Sequence, residues 1–127
     1  MVEGHEDFNE ECWIIYGYEW AGDKYGLMVY ESKGGPGSVD FNWENVIKNA
    51  KILQGFNHTH PENFTTPSAL DDKTMKGWVK ALGRPLLCGI KSGAEQRMYL
   101  YERVEDNVEC REVNFRISGN FIMTGEL

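Results

Sequence analysis

The chain has 127 residues, 41% hydrophobic and 13% aromatic, with a formal net charge of −7. That length predicts one domain spanning 1–127 with a real core, while the negative charge argues against nucleic acid or an anionic membrane surface as a partner. With no apolar run of about 18 residues and no basic-then-apolar leader, and with Cys12, Cys88 and Cys110 forming no CxxC pair, the expectation is a cytoplasmic protein with reduced thiols.

In chain order, CWIIYGYEW (Cys12 to Trp20) and KYGLMVYES (Lys24 to Ser32) are rich in aromatic and β-branched residues and flank a turn-like AGD, which predicts a hairpin. A loop at KGGPG precedes a helix predicted around Trp43 to Lys51, and a strand is predicted from Ile52 to Thr59. After Pro67 the apolar positions Met75, Trp78, Val79 and Leu82 recur at helical spacing, and Gly83 followed by Pro85 marks the stop. PLLCGIKSG and QRMYLYERVE read as a second hairpin, and ECREVNFRISG as one further strand. The order implies an α/β (α+β) domain, a mixed β-sheet flanked by helices.

Strand alternation puts His58 and His60 on one face, half of a metal site. Ser68 and Asp71 form an S-x-x-D capping box, so Ser68 is the expected N-cap and Asp71 sits in the first helical turn, able to face the strand end. Two imidazoles and one carboxylate match a zinc site with three protein ligands. The same residues have ordinary uses too, as hydrogen-bonded strand histidines and as plain helix caps. Two N-x-T sequons, at Asn57 and Asn63, read as chance without an export signal.

HTHPENFTTPSALD, of the form H-x-H-x7-S-x2-D, resembles the signature of the JAMM (JAB/MPN) zinc metallopeptidases, and the likeness extends from Ile52 to Ile90. The resemblance implies a JAB/MPN, cytidine-deaminase-like architecture, zinc on His58, His60 and Asp71, and an oxyanion-stabilising role for the Ser68 hydroxyl. It also calls for a glutamate base from an early strand. EECWIIYG puts Glu10 in that register, with the departure that Trp13 stands at the usual glycine; Asp23 is the second candidate, and Glu11, Glu19 and Glu31 are spares. The implied substrate is an isopeptide or peptide bond at the C-terminal tail of a ubiquitin-like or sulfur-carrier protein, and a minimal prokaryotic or phage-type member fits the short chain. A substrate tail would then add along an exposed sheet edge formed by the strand ending at Thr59. The competing readings are a non-catalytic or RadC-like relative of the same fold and a two-His-one-carboxylate Fe(II) enzyme; a zinc deaminase is excluded because its HxE and PCxxC motifs are absent.

Overall fold

Aromatic and β-branched side chains pack best on a pleated, half-buried surface, and the N-terminal run pairs accordingly. The computed structural model describes residues 11–33, 47–60 and 64–126. In it β1 (Glu11–Trp20) and β2 (Asp23–Lys33) form an antiparallel hairpin with Trp20 opposite Asp23. Ala21 and Gly22 turn the chain with φ of 52° and 85°, the paired positive values that let a two-residue turn follow the strand twist.

Of the helix predicted around Trp43 to Lys51, residues 43–46 lie outside the described residues. Ile47 and Lys48 are helical, and a 3-10 turn at Ala50–Ile52 then delivers the chain to β3 (Leu53–Thr59). The remaining elements are α1 (Ala69–Leu82), β4 (Leu86–Ser92), β5 (Glu95–Val104), β6 (Asn107–Glu112), β7 (Arg116–Ser118) and β8 (Phe121–Met123). The fold is therefore mixed α+β but mostly sheet, and among the described residues α1 is the one long helix laid on it.

Among the described residues eight strands form one sheet, in the order β6-β5-β4-β3-β1-β2-β8-β7. Its two ends, β6 and β7, are joined by Val113 to Phe115 alone. Laid flat, eight strands spaced about 4.8 Å apart would separate those ends by more than 30 Å, whereas so short a link reaches no more than about 14 Å. The sheet must curl. Val113 marks the crossing: it turns inward, 6% exposed, and donates its N–H to the Met98 carbonyl at 2.9 Å. Hence ECREVNFRISG is not one strand but two, β6 and β7, at opposite ends of the sheet.

Curling creates two apolar layers. Inside the curl lie Ile15, Leu87, Met98, Leu100, Val113 and Ile122. On the outer face Cys12, Ile14, Phe56, Cys88, Ile90 and Tyr101 are covered by α1 through Met75, Val79 and the partly buried Trp78 and Leu82, the four positions whose spacing predicted the helix. Gly83 ends α1 in the left-handed conformation, φ 70°, with its N–H on the Val79 carbonyl. The thiols of Cys12 and Cys88 are buried beneath this helix and form no disulfide.

β3 is an interior strand, contrary to the expectation of an exposed edge. β1 pairs with it antiparallel and β4 parallel, and the parallel pairing runs to Thr59 opposite Lys91. Its backbone groups are used within the sheet, so no peptide can add along it.

Close approach of β3 and β4 depends on Gly55. Its φ is 144°, and a Cβ placed there would lie 1.9 Å from the Leu87 carbonyl oxygen. Gly55→Ala is therefore expected to destabilise the fold by roughly 3 kcal/mol, the upper range for a residue held in an unfavourable backbone region, with the added steric conflict pushing in the same direction. Urea denaturation followed by tryptophan fluorescence measures it. A loss under about 0.5 kcal/mol, the range of ordinary surface changes, would contradict the close approach.

Candidate metal centre

Alternation along β3 decides which side chains meet α1. Cys12 stands opposite His58 and Ile14 opposite Phe56, so His58 shares the helix-covered face, while Asn57 points into the curl and meets Met28 and Gln96. His58 is 1% exposed and His60, just past the strand end, 8%. The two rings stack edge to face with centroids 4.5 Å apart.

The first turn of α1 brings in the third group. Ser68 Oγ accepts the Asp71 N–H at 3.1 Å, and Asp71 Oδ2 accepts the Ser68 N–H at 3.0 Å, completing the capping box. The same Asp71 carboxylate reaches His58 Nε2 at 3.0 Å through Oδ1 and His60 Nε2 at 3.1 Å through Oδ2. Both expected roles of Asp71 thus coexist.

The far nitrogens are fixed as well. His58 Nδ1 lies 2.9 Å from the Gly89 carbonyl and His60 Nδ1 3.1 Å from the Phe64 carbonyl. A carbonyl can only accept, so each Nδ1 carries the proton and donates it, which directs both Nε2 atoms at Asp71. Outer-shell carbonyls of this kind orient metal-ligating histidines. These two were not foreseen from the sequence: the Gly89 contact follows from parallel pairing of β3 with β4, and no local signal marks the Phe64 carbonyl as a partner of His60.

A carboxylate oxygen cannot donate either, so every Nε2–oxygen contact needs a shared cation, a proton or a metal. Burial opposes the charged carboxylate, yet the hydrogen bonds from His58 and His60, the charge of His58, and the Ser68 N–H together hold Asp71 well below the usual carboxyl range. His58, His60 and Asp71 each offer a ligand atom, and these atoms lie within 4.8 Å of one another. Tetrahedral ligation at about 2.0–2.1 Å sets neighbouring donors ~3.3 Å apart, close to the nitrogen–oxygen separations here. The donor set fits zinc.

The neighbouring Asp72 is taken up elsewhere, by the Tyr101 hydroxyl at 2.8 Å and Lys76 at 2.9 Å, which leaves Asp71 to the cluster as the spacing expected. Ser68, at the start of the same helical turn as Asp71, is exposed, its hydroxyl proton still available to donate. Glu10 lies outside the described residues. Glu11, next in the chain, gives its N–H to Thr59 Oγ1 at 2.7 Å, so β1 starts beside the histidine-bearing strand, but its carboxylate is turned to the Tyr30 hydroxyl. Asp23 is exposed at the other end of the hairpin. Cys12 beside His58 and Trp20 beside Asp23 are separated by roughly 26 Å of strand at ~3.3 Å per residue, so Asp23 cannot reach the cluster and is withdrawn as a candidate base. Glu19, exposed near that same turn, is withdrawn with it.

Compared with protein-family models and with curated proteins, the sequence finds no match to either.

Proposed function

We propose that this chain is a zinc-dependent metallopeptidase of the JAMM type, with its curled sheet and α1 forming a JAB/MPN architecture. The observation that carries the reading is the convergence of His58 Nε2, His60 Nε2 and the Asp71 carboxylate, in the order H-x-H-x7-S-x2-D. Its substrate is a peptide or isopeptide bond at the C-terminal tail of a ubiquitin-like or sulfur-carrier protein, a class drawn from the motif resemblance.

Zinc held there supplies a Lewis acid and lowers the pKa of water toward about 7. The chain's own residues do the rest. His58 and His60, oriented by the Gly89 and Phe64 carbonyls, present neutral Nε2 lone pairs, and Asp71 supplies the negative charge. Ser68 donates its hydroxyl proton toward an oxyanion developing on the scissile carbonyl, and Glu10 takes a proton from the hydrolytic water and passes it to the leaving amine.

Protein purified without chelators is expected to hold about one zinc per chain, with affinity falling below roughly pH 6, because ligation needs neutral imidazole. Elemental analysis followed by zinc titration at two pH values checks both. No zinc as purified and no uptake on titration would overturn the reading. Since two histidines and one carboxylate also suit Fe(II), bound iron with oxygen-dependent turnover would transfer the site to the oxygenase alternative.

A further inference from the structure

Two tyrosines of β5 lie in the helix-covered layer and send their hydroxyls to groups on either side of the Ser68 cap. Tyr101 reaches Asp72, as described. Tyr99, 8% exposed and packed in the helix-covered layer, donates its hydroxyl to the Thr65 carbonyl at 2.6 Å. The peptide unit immediately before that carbonyl ends in the Phe64 oxygen, the acceptor that orients His60. Successive carbonyls of one backbone segment are thus held, one by a buried phenol and one by the imidazole. His58 is anchored differently, because Gly89 belongs to the regular β4 pairing, whereas residues 64–68 belong to no helix or strand.

We infer that Tyr99 is a positioning residue for His60: its hydroxyl fixes the Phe64–Thr65 backbone so that the Phe64 carbonyl holds the His60 ring with Nε2 aimed at Asp71. The link to metal affinity rests on the metallopeptidase reading, while the effect on the ring does not. Burial pushes the Tyr99 phenol above its ordinary pKa, so it remains a protonated donor throughout the working range.

The test is Tyr99→Phe, which keeps the ring and removes one hydroxyl, beside Tyr101→Phe as a control that removes an equally sheltered hydroxyl bonded to Asp72. Imidazole nitrogen NMR of the metal-free proteins reads each ring. Tyr99→Phe should move the His60 nitrogen signals, as the ring loses its fixed acceptor in the Phe64 carbonyl, and leave those of His58 in place; Tyr101→Phe should move neither. Loss of an outer-shell partner costs about 10- to 100-fold in metal affinity, so this hydroxyl, one link further out, should cost about 3- to 10-fold in a zinc–chelator competition. Unmoved His60 signals in folded Tyr99→Phe would overturn the inference. So would a Tyr99 hydroxyl proton in the unsubstituted protein that exchanges as fast as an exposed tyrosine's, a measurement that needs no variant. If the protein takes up no zinc yet His60 responds to Tyr99→Phe, the metallopeptidase reading fails and the positioning role stands.

Discussion

Asp71→Asn is expected to lower zinc affinity by more than about 100-fold at neutral pH, since removing even an outer-shell partner costs about 10- to 100-fold and here a charged ligand is lost. Asparagine retains an oxygen that can accept the Ser68 N–H, so α1 should still begin where it does. What disappears is the negative charge between two imidazoles. In the metal-free protein the lost ionic hydrogen bonds should cost about 1.5–3 kcal/mol, and the pH dependence of that cost has a definite sign. The folded carboxyl is depressed from the ordinary 3.8, so its stabilisation is complete above that value and is lost as pH falls through the folded one. Denaturant curves of the two proteins should therefore differ fully at pH 5 and converge in stronger acid. A gap that instead widened on acidification would show that Asp71 is not the paired carboxylate.

Glu10→Gln should leave zinc stoichiometry unchanged and reduce turnover of a ubiquitin-like tail substrate by about 10²- to 10⁴-fold, the usual contribution of a positioned general base. The amide matches the acid in size and hydrogen bonding but takes up no proton. Asp23→Asn, at the far end of the hairpin, should be silent, and Glu11→Gln nearly so, because that side chain faces Tyr30. Full activity in Glu10→Gln would mean that the register chosen at Trp13 is wrong and that another carboxylate serves.

Local chemistry made some of this legible in advance. Met75, Trp78, Val79 and Leu82 repeat at the period of one helical face, and that face is buried; Ser68 and Asp71 cap the helix because their spacing suits the first turn. His58 and His60 share a side because the alternation of β3 carries on one residue past its end, where the His60 N–H still bonds the Lys91 carbonyl. The order of strands was another matter, because pairing partners are chosen by contacts far apart in sequence. Nothing local in LQGFNHT says that it lies between β1 and β4 rather than at an edge. VNF looks like the middle of a strand, and only the inner layer that Val113 enters explains why the chain leaves the sheet there. FIM, at β8, is too short to register as a strand until it pairs with Gly26 and Leu27.

The two apolar layers also make the molecule separable for an engineer. The three candidate ligands gather where α1 covers the sheet, so the interior of the curl, from Ile15 through Leu100 to Ile122, can be repacked for thermostability without retuning the candidate centre, provided one seam is respected. That seam is Asn57 against Gly89: a Cβ on Gly89 would meet Asn57 Oδ1 at 2.3 Å, and the carbonyl of this same glycine holds His58. Changes at those two positions propagate from the scaffold into the ligand set, whereas changes elsewhere in the interior act as adjustments of the scaffold alone.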